Sequence, residues 1–262
     1  MDNPPRSRNF EVDSYVAKFN FLTNTDSEAC AEMIELSEVH FRWHHDAALV
    51  LDIPKFKVKA GERIFLEGPS GCGKTTLLNV LGGVVVPENG SVKVNGTEIT
   101  QLNSAKRDAF RADHIGIIFQ MFNLIPYLSP IDNITLPCRF SRQRHAAAQK
   151  NSGSVEEEAR RLLTQMQLPE DATMNFSAVE LSTGQQQRVA AARALIGAPA
   201  LIIADEPTSA LDHDVRQTFI NLLFNEITGT GTTLLFVSHA PDLAEQFDRR
   251  IKLSDINEAN QK

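Results

Sequence analysis

The chain has 262 residues, 42% of them hydrophobic, which is enough to bury a sizeable core in one large domain or two small ones. Its 26 basic and 33 acidic residues give a net charge of −7, and this balance argues against a broad nucleic-acid-binding surface. The sequence has no run of about 18 apolar residues, no signal-peptide pattern and no C-x-x-C pair among its 3 cysteines. We therefore expect a cytosolic protein without a disulfide framework, a zinc site or a nucleic-acid partner.

Residues 1–32 differ in composition from the rest of the chain. They are polar and rich in Asn, Ser and Asp, so we expect a poorly ordered N-terminal extension. A sharply patterned segment begins at Met33. We hypothesise that Met33 is the natural start and that the folded domain covers residues 33–262. N-terminal sequencing of protein from the native host would contradict this hypothesis if it recovered residues 1–32.

Segments with alternating apolar and polar residues follow. Met33–Phe41 has the period of two expected of a half-buried strand, and the pattern returns in Leu49–Ile53 and again in Phe56–Gly61. Further along, the pair Asn95-Gly96 separates two apolar alternations within Gly90–Ile99, which is a strong signal for a β-hairpin. We expect these strands to form an antiparallel sheet beside the glycine-rich loop at Gly68–Thr76.

A glycine-rich stretch lies between the predicted strands. Gly68–Thr76, with the sequence GPSGCGKTT, fits the phosphate-binding pattern G-x-x-x-x-G-K-[ST]. Its glycines let backbone N–H groups turn inward, Lys74 brings a positive charge to the β- and γ-phosphates, and Thr75 offers a hydroxyl to Mg²⁺. A short predicted strand precedes the loop and a predicted helix follows it, so the helix N-terminus would face the phosphates. The loop predicts binding of a nucleoside triphosphate, and we expect Cys72 to be a small filler rather than a redox switch.

The middle of the chain is predicted to be mostly helical. Ile115–Gln120 is an apolar run of the kind that forms a strand buried on both faces, and Met121–Leu181 follows it. Within the latter region Glu156–Met166 has helical spacing, whereas the small and polar residues of His145–Gly153 predict an exposed loop or a frayed turn. Prolines are expected to break the first part of this region, at Pro126, Pro130 and Pro137.

Helices and buried strands alternate in the last third of the chain. Gln185–Ile196 has the period of a helix and ends before Gly197, and Val215–Ile227 is a second helix. Ala200–Ala204 and Thr232–Val237 are apolar runs typical of parallel strands. This alternation around a phosphate-binding loop predicts an α/β fold with a parallel sheet. In such a fold, polar residues at the carboxyl ends of the strands collect on the nucleotide side.

Two of these strands end in polar residues suited to chemistry. Asp205 and Glu206 follow the first strand, and His239 follows the second. A carboxylate at the end of an apolar strand can orient water on Mg²⁺, and this favours that role for Asp205 over a helix cap. Glu206 is a candidate general base, although a glutamate at this position is as often a surface charge. A lone histidine at a strand end is more often structural than functional.

At this point the chain resembles the ATP-binding cassette (ABC) ATPases, and the resemblance extends from Met33 to about Leu253. Seven motifs occur in the order typical of that family. They are the aromatic residue for the adenine (Trp43), the phosphate loop (Gly68–Thr76), the Q-loop glutamine (Gln120), the signature (Leu181–Gln185), Walker B with the next glutamate (Leu201–Glu206), the D-loop (Ser209–Asp212) and the switch histidine (His239). In the signature, LSTGQ, Thr183 replaces the usual first glycine. We expect this change to be tolerated.

The resemblance implies both a fold and a site. The fold is that of the P-loop ABC ATPases, with a mixed RecA-like core sheet, an antiparallel β-subdomain and a helical subdomain at about 121–182. The implied ligands are ATP and Mg²⁺. The implied catalytic residues are Glu206, His239, Gln120 and Lys74, and the implied metal ligands are Thr75, Gln120 and Asp205. The implied nucleotide-binding residues are Trp43, Gly68, Pro69, Ser70, Gly71, Cys72, Gly73, Lys74, Thr75, Thr76, Ser182, Gly184, Gln185 and Asp212.

The resemblance also implies a dimer. Ser182 and Gly184 precede a helix, so their hydroxyl and N–H groups form an anion site at its N-terminus. In the family, the signature of one subunit closes over the nucleotide held by the other. Because the chain has one phosphate loop and one signature, we expect a head-to-tail homodimer with two ATP molecules between its subunits.

The stretches Phe119–Pro130, Asp132–Pro137 and Leu181–Asp212 resemble the branch of the family that powers macrolide exporters and lipoprotein-releasing complexes. The length counted from Met33, 262 − 32 = 230 residues, is also usual for that branch. The implied partner is a separate integral membrane permease of the FtsX/MacB type, so the chain would lie on the inner face of the cell membrane. Four residues are expected either to shape the groove for a cytoplasmic helix of the permease or to belong to the core: Phe122, Leu124, Ile125 and Tyr127.

The sequence also fits other functions of the same superfamily. An ATPase of an importer for amino acids or similar solutes would share all seven motifs, and a cell-envelope role without transport is a further alternative. A soluble DNA-repair or translation ATPase is disfavoured, because the sequence has no long coiled coil, zinc module or second cassette and its charge is acidic.

Overall fold

The computed structural model describes residues 31–168, 177–209 and 211–259. The predicted N-terminal extension therefore lies, apart from its last two residues, outside the described part. The strands are β1 (Glu32–Phe41), β2 (Leu51–Lys59), β3 (Arg63–Glu67), β4 (Asn89–Val94), β5 (Thr97–Glu98), β6 (Ile115–Ile118), β7 (Leu201–Asp205), β8 (Thr233–Val237) and β9 (Arg249–Lys252). The α-helices are α1 (Lys74–Leu81), α2 (Ser104–His114), α3 (Pro130–Phe140), α4 (Arg142–Ser152), α5 (Val155–Gln165), α6 (Thr183–Leu195), α7 (His213–Ile227) and α8 (Leu253–Ile256). None of these helices has the length and apolar content needed to cross a membrane.

Four strands form an antiparallel sheet in the order β2-β1-β4-β5. Asn95 and Gly96 make the two-residue turn between β4 and β5, and their positive φ values of 48° and 72° suit a hairpin turn. The two strands predicted at 49–53 and 56–61 are in fact the single strand β2, which continues through Pro54. The pairing of β1 with β2 sets Pro54 opposite Glu38, whose φ is 52°, so the proline lies at an irregularity where its missing N–H is tolerated.

Five strands form a parallel sheet in the order β6-β7-β8-β3-β9. Successive side chains of each strand face opposite sides of the sheet. In β7, for example, Leu201 and Ile203 join a core shared with α1 and the antiparallel sheet, while Ile202 and Ala204 join a second core with α3–α7. Because the strands are buried on both faces, they appear in the sequence as continuous apolar runs. The predicted α/β class with a separate antiparallel sheet is confirmed.

Helix α3 contains two of the prolines that were expected to break this region. Pro130 occupies the first turn, where its missing N–H needs no partner, and Ser129 Oγ accepts from the N–H of Asp132 at 3.1 Å. Pro137 lies inside the same helix, which ends three residues later at Phe140. Pro126 lies in a turn before α3 and Pro130 starts the helix, so both mark a break in helical structure as expected, whereas Pro137 lies inside α3 and the expectation was wrong for it.

Helix α4 covers most of the segment for which an exposed loop or a frayed turn was expected, 145–153, and that prediction was wrong. Ser141 Oγ caps the helix by accepting from the N–H of Arg144 at 3.0 Å, and Gly153, with φ of 86°, follows its last turn. Its buried positions are Arg144 and Ala148, one turn apart. A small residue and a cation give no apolar stripe, and for this reason the hydrophobic pattern did not indicate a helix.

Candidate functional site

The phosphate-binding loop joins β3 to α1. Gly71 and Gly73 have φ values of 79° and 106°, which non-glycine residues rarely adopt. A Cβ atom on Gly73 would lie 3.1 Å from the carbonyl oxygen of Val50, so the loop packs closely against the chain just before β2. The first residue of α1 is Lys74, and the N-terminus of the helix therefore faces the loop. This geometry suits a phosphate group.

Lys74 is folded back over this loop. Its Nζ atom donates hydrogen bonds to the carbonyl oxygens of Gly68 at 2.7 Å and Pro69 at 2.9 Å, and lies 3.2 Å from Nε2 of His239. The side chain is buried, with 6% of its surface exposed. A buried ammonium group between the loop and His239 is well placed to meet a phosphate charge.

A cleft of about 540 Å³ opens above the loop, a size suited to a nucleotide. It lies where the carboxyl ends of the parallel strands meet, because a parallel sheet presents all these ends at one edge. Most residues predicted to bind one nucleotide lie here. The residues lining the cleft are Trp43, Val50, Ser70, Gly71, Gly73, Lys74, Thr75, Thr76, Gln120, Glu206 and His239.

Trp43 stands at the rim of this cleft. It is 53% exposed and meets Phe41 edge-on, with the ring centroids 5.0 Å apart. One face of the indole is therefore free to stack on a flat aromatic ligand. Val50 also lines the cleft but was not predicted, since a lone valine before a strand carries no sequence signal for ligand binding.

Glu206 and His239 meet at the ends of the adjacent strands β7 and β8. Oε1 of Glu206 lies 2.7 Å from Nε2 of His239. Glu206 has a φ of 46°, an unusual value for a residue with a side chain, and its N–H donates to the carbonyl oxygen of Val237 at 3.0 Å. Strained backbone of this kind often marks a functional position. The pair combines a carboxylate and an imidazole that together can orient and deprotonate a water molecule.

Asp205 does not line the cleft itself but lies beside Thr75, which does. Its Oδ2 atom accepts a long hydrogen bond of 3.4 Å from Oγ1 of Thr75. Burial raises the pKa of Asp205, the negative charge of Glu206 raises it further, and the Thr75 hydroxyl and Lys74 ammonium oppose this. The partly buried carboxylate and the hydroxyl are both oxygen ligands of the kind that Mg²⁺ prefers, and a cation bound there would offset the cost of burying the carboxylate.

These oxygens fit Mg²⁺ better than a metal that needs several side-chain ligands. In the described ranges, no group of three or more His, Cys, Asp or Glu side chains is arranged to hold a metal ion. Mg²⁺ commonly takes only one or two carboxylates and completes its coordination with water and substrate phosphates. The residues present therefore fit Mg²⁺ bound together with a nucleotide.

The remaining predicted residues lie outside the cleft. Ser182 caps α6 in a reciprocal arrangement, in which the N–H of Ser182 donates to Oε1 of Gln185 at 2.8 Å and the N–H of Gln185 donates to Oγ of Ser182 at 3.4 Å. The space next to Gly184 is open, since a Cβ atom built on this residue would have no neighbour within 4 Å. Asp212 precedes α7. The structure of one chain thus does not bring these residues to the phosphate loop, and the helix tip is open to another molecule.

Three loop residues contribute to the site without lining the cleft. Gly68 and Pro69 supply the carbonyl groups that hold Lys74. A Cβ atom on Gly68 would lie 2.7 Å from Sγ of Cys72, so this sulfur fills the space that the glycine leaves. This contact supports the expectation that Cys72 is a filler.

An apolar groove lies next to the end of β6. Its volume is about 360 Å³, and most of its exposed lining is apolar, with Phe119, Pro137 and Phe140 among the residues. Four charged residues also line it: Asp108, Arg111, Arg144 and Arg193. Large side chains near it are exposed, with Phe140 73% and Met121 80% accessible to solvent. Tyr127, farther along the same segment, is 79% exposed. A cluster of large, exposed apolar side chains usually indicates a surface that binds another molecule.

The four residues expected at a permease groove have different environments. Phe122 is buried and Tyr127 is exposed, whereas Leu124 and Ile125 are half-buried. Phe140 and Met121 were not predicted to be exposed here. Their exposure follows from where α3 ends and from the turn after Gln120, which the sequence pattern does not specify.

Comparison with known sequences gives consistent matches. Residues 51–209 match the profile of the ABC transporter family. The chain is 39% identical over 223 residues to an uncharacterized ABC transporter ATP-binding protein of Mycobacterium tuberculosis, covering 84% of this chain and 86% of that protein. It is 37% identical over 206 residues to the lipoprotein-releasing system ATP-binding protein LolD of Syntrophotalea carbinolica, covering 79% and 87% of the two chains. It is also 37% identical over 199 residues to the macrolide export ATP-binding/permease protein MacB of Bdellovibrio bacteriovorus, covering 76% of this chain and 29% of that longer protein.

A solved structure shows the same architecture. The dimeric, post-hydrolysis state of the ATP-binding cassette MJ0796 bound to ADP and Pi superposes with a TM-score of 0.75 at 33% sequence identity. The match covers 87% of this chain and 95% of that one. The likeness therefore includes both sheets and the helices between them.

Proposed function

This chain belongs to the ABC transporter family as an ATP-binding subunit that hydrolyses ATP, and from that premise we propose that it drives a separate membrane permease of the lipoprotein-releasing or macrolide-export type. We further propose that residues 33–262 form the cassette, with a helical subdomain at about 121–182. The observation that carries the proposal is the cleft in which the phosphate loop, Glu206 and His239 converge. The apolar groove next to this cleft supports the proposal that the chain binds a permease.

Each side chain of the cleft has a separate role in ATP binding or hydrolysis. Lys74 and the N–H groups of the loop bind the phosphates, and Trp43 stacks on the adenine. Glu206 takes up the proton of the attacking water, and His239, 2.7 Å from it, keeps that water in line with the γ-phosphate. Positioning and stabilisation of charge supply most of the rate enhancement in reactions of this type.

Thr75, Gln120 and Asp205 would hold Mg²⁺. When bound, Mg²⁺ would neutralise phosphate charge. Thr75 would contribute its hydroxyl, Asp205 its carboxylate and Gln120 its amide oxygen. Asp205 fits this role because its burial and the nearby charge of Glu206 raise its pKa, and a cation would relieve both effects.

The active unit is proposed to be a head-to-tail homodimer. Ser182, Gly184 and Gln185 lie at the open tip of α6 and do not line the cleft of their own chain. A second copy would bring this tip, and its Asp212, over the nucleotide held by the first. Two ATP molecules would then lie between the copies, and hydrolysis would let the copies part.

The permease is proposed to insert a cytoplasmic helix into the apolar groove. The groove adjoins Gln120, so movement at the nucleotide can reach the permease directly. The names of the relatives LolD and MacB, a lipoprotein-releasing subunit and a macrolide export protein, support a permease of the FtsX/MacB type. The chain would accordingly work at the inner face of the cell membrane, as a peripheral subunit.

Co-purification tests this proposal. The tagged chain is expressed in its native host, the membranes are dissolved in detergent, and the retained membrane protein is identified. We expect a permease with few membrane helices and a large extracytoplasmic domain. Adding the purified permease to the purified chain should change the rate of ATP hydrolysis. Isolation of the chain with no membrane protein, under conditions in which a known permease complex survives, would contradict the proposal.

An importer subunit is the second candidate. The same cleft and groove would serve it, and the relatives do not all carry a transport substrate in their names. Co-purification with a solute-binding protein and a permease of many membrane helices would favour this alternative. Recovery of neither type of partner, with ATP hydrolysis intact, would favour a cell-envelope role without transport.

A further inference from the structure

The chain makes a strained turn directly after Gln120. Phe122 and Asn123 are consecutive residues with positive φ values of 59° and 49°. Such values are uncommon for residues with side chains, and for a bulky phenylalanine they are unfavourable. The N–H of Phe122 donates to the carbonyl oxygen of Phe119 at 3.0 Å, and that of Asn123 donates to Met121 at 2.6 Å. Surrounding groups must hold a turn of this kind in place.

Arg193 of α6 is the group that holds it. Its Nη1 atom donates to the carbonyl oxygen of Asn123 at 2.7 Å, and its Nη2 atom donates to that of Phe122 at 2.5 Å. The side chain is buried, and burial lowers its pKa. Among the described residues no carboxylate forms an ion pair with it. Burying a guanidinium group that only carbonyl groups contact costs free energy, because its charge is not neutralised. This cost favours a role for Arg193 in positioning the turn over a role in core packing alone.

A second arginine fixes the end of α6. Arg144 of α4 is 2% exposed and donates from Nε to the carbonyl oxygen of Ile196 at 2.8 Å. Its Nη2 atom donates to the carbonyl oxygens of Ala194 at 2.7 Å and Arg193 at 3.2 Å. Burial lowers the pKa of Arg144 to about 10. The backbone that carries the Arg193 side chain is therefore itself anchored.

We propose that Arg193 is a positioning residue for ATP hydrolysis, which holds the turn of Phe122 and Asn123 so that Gln120 faces the cleft. It acts through Gln120 and touches neither the nucleotide nor the reacting atoms. The inference rests on the proposed function, in which Gln120 contacts Mg²⁺. A rise of about 1.5 Å per residue places Arg193 roughly 15 Å along α6 from Thr183. One helix thus joins the open tip, which is proposed to serve the second copy, to the Gln120 turn of its own chain.

Arg188 offers a matched control on the same helix. Its Nη1 atom donates to the carbonyl oxygens of Met166 at 3.3 Å and Gln167 at 3.0 Å. Gln167 also has a positive φ, of 54°. Arg188 thus also donates to the carbonyl groups of a strained turn, at a position in the chain far from Gln120.

The test compares Arg193→Lys with Arg188→Lys, each alone and combined with Gln120→Ala. Lysine keeps the charge but cannot bridge two carbonyl groups as a guanidinium fork does. For each variant one measures the kcat of ATP hydrolysis, the Mg²⁺ concentration for half-maximal rate, thermal unfolding, and ATP binding from the fluorescence of the single tryptophan, Trp43.

For Arg193→Lys we expect kcat to fall about tenfold or more, because small misplacements of a catalytic group are costly. The half-activating Mg²⁺ concentration should rise, while ATP affinity stays within about twofold of wild type. Arg188→Lys should leave kcat within about twofold. In the Gln120→Ala background, Arg193→Lys should add little further loss, since two changes that act through one group are not additive.

Several results would overturn the inference. These are full activity of Arg193→Lys, an equal loss in Arg188→Lys, full activity of Gln120→Ala, or an undiminished effect of Arg193→Lys in the Gln120→Ala background. Should Arg193→Lys fail to fold, Arg193→Gln replaces it, because a neutral amide still donates to a carbonyl without burying a charge. A wild-type protein that hydrolyses no ATP would overturn the proposed function as well, whereas normal wild-type hydrolysis with an unaffected Arg193→Lys overturns this inference alone.

Discussion

Oε1 of Glu206 and Nε2 of His239 lie 2.7 Å apart, at the ends of two adjacent parallel strands. The two residues are 33 positions apart in the sequence, and the pairing of β7 with β8 brings them together. The left-handed backbone of Glu206 turns the chain at this point, where the next segment leads to α7. A carboxylate and an imidazole in contact, with Lys74 within 3.2 Å of the same imidazole nitrogen, form the centre of the proposed hydrolytic site.

Glu206→Gln removes the proposed base and keeps the size of the side chain. We expect hydrolysis to fall by roughly 10²–10⁴-fold, the usual contribution of a general base, while ATP binding persists. The kcat and the Trp43 fluorescence titration measure the two effects separately. Glu226→Gln is the control, because Glu226 pairs with Arg161 away from the cleft and should affect stability rather than turnover. Unchanged turnover in Glu206→Gln would remove Glu206 from the mechanism.

Lys74→Ala removes the ammonium group that lies over the phosphate loop. A hydrogen bond to a charged group contributes roughly 1.5–3 kcal/mol, so the affinity for ATP should fall about 10–100-fold. Titration of Trp43 fluorescence measures this affinity. The control is Lys106→Ala, since Lys106 is exposed on α2 and should bind nothing in the cleft. Equal ATP affinity in the two variants would contradict the assignment of Lys74.

Asp205→Asn should stabilise the protein when Mg²⁺ is chelated. The pKa of Asp205 is raised by burial and by the charge of Glu206. A carboxyl with a raised folded pKa stabilises the fold at low pH, and this contribution is lost as the pH rises through the folded pKa. Near neutral pH the asparagine variant, which carries no charge, should therefore unfold at a higher Tm than the wild type.

Thermal unfolding across pH checks this prediction. The difference between Asp205→Asn and wild type should shrink as the pH falls through the folded pKa of Asp205, because the wild-type carboxyl then becomes neutral as well. The same variant should lose Mg²⁺-dependent hydrolysis. Two results would contradict the prediction: a difference in Tm that stays constant with pH, or a variant less stable than wild type at neutral pH. Either would show that the charge of Asp205 does not destabilise the fold.

Phe140→Asp places a charge at the rim of the apolar groove. Burial of a carboxylate under a docked helix is unfavourable, so the yield of the co-purified permease should fall about tenfold or more. Val84→Asp is the control, since Val84 is 56% exposed but does not line the groove. Equal yields of permease with the two variants would show that the groove does not hold it.

Much of the fold could be predicted because its strands have strong patterns. The half-buried β1 alternates, and the fully buried β7 and β8 are continuous apolar runs, as their two-sided burial requires. Helix α2 could not be predicted in this way, since none of its residues is buried and Phe110 is its one large apolar side chain packed against the core. Strand β9 is a charged edge strand with one buried residue, Ile251, and so gives no alternation.

The resemblance to the ABC ATPases is confirmed by the matches to known sequences and structures. The motif spacing predicted the phosphate loop and the polar strand ends, because these depend on local sequence. The contact of Glu206 with His239 and the anchoring of the Gln120 turn by Arg193 depend on strand pairing and helix packing instead. The pattern around Arg193 is that of a helix and says nothing of which carbonyl groups its side chain reaches.

The mass of Glu206→Gln in solution tests the central claim most directly. The claim is that two copies enclose ATP between the cleft of one and the Ser182 tip of the other. Light scattering on the purified variant with and without saturating Mg²⁺ and ATP gives this mass, with Ser182→Arg in the same background as the control. The account predicts a change from the single-chain 29.0 kDa to twice that value on adding ATP, and no change when Ser182 is replaced. A mass that stays at 29.0 kDa with ATP bound, or a dimer that forms equally well with Ser182→Arg, would contradict it.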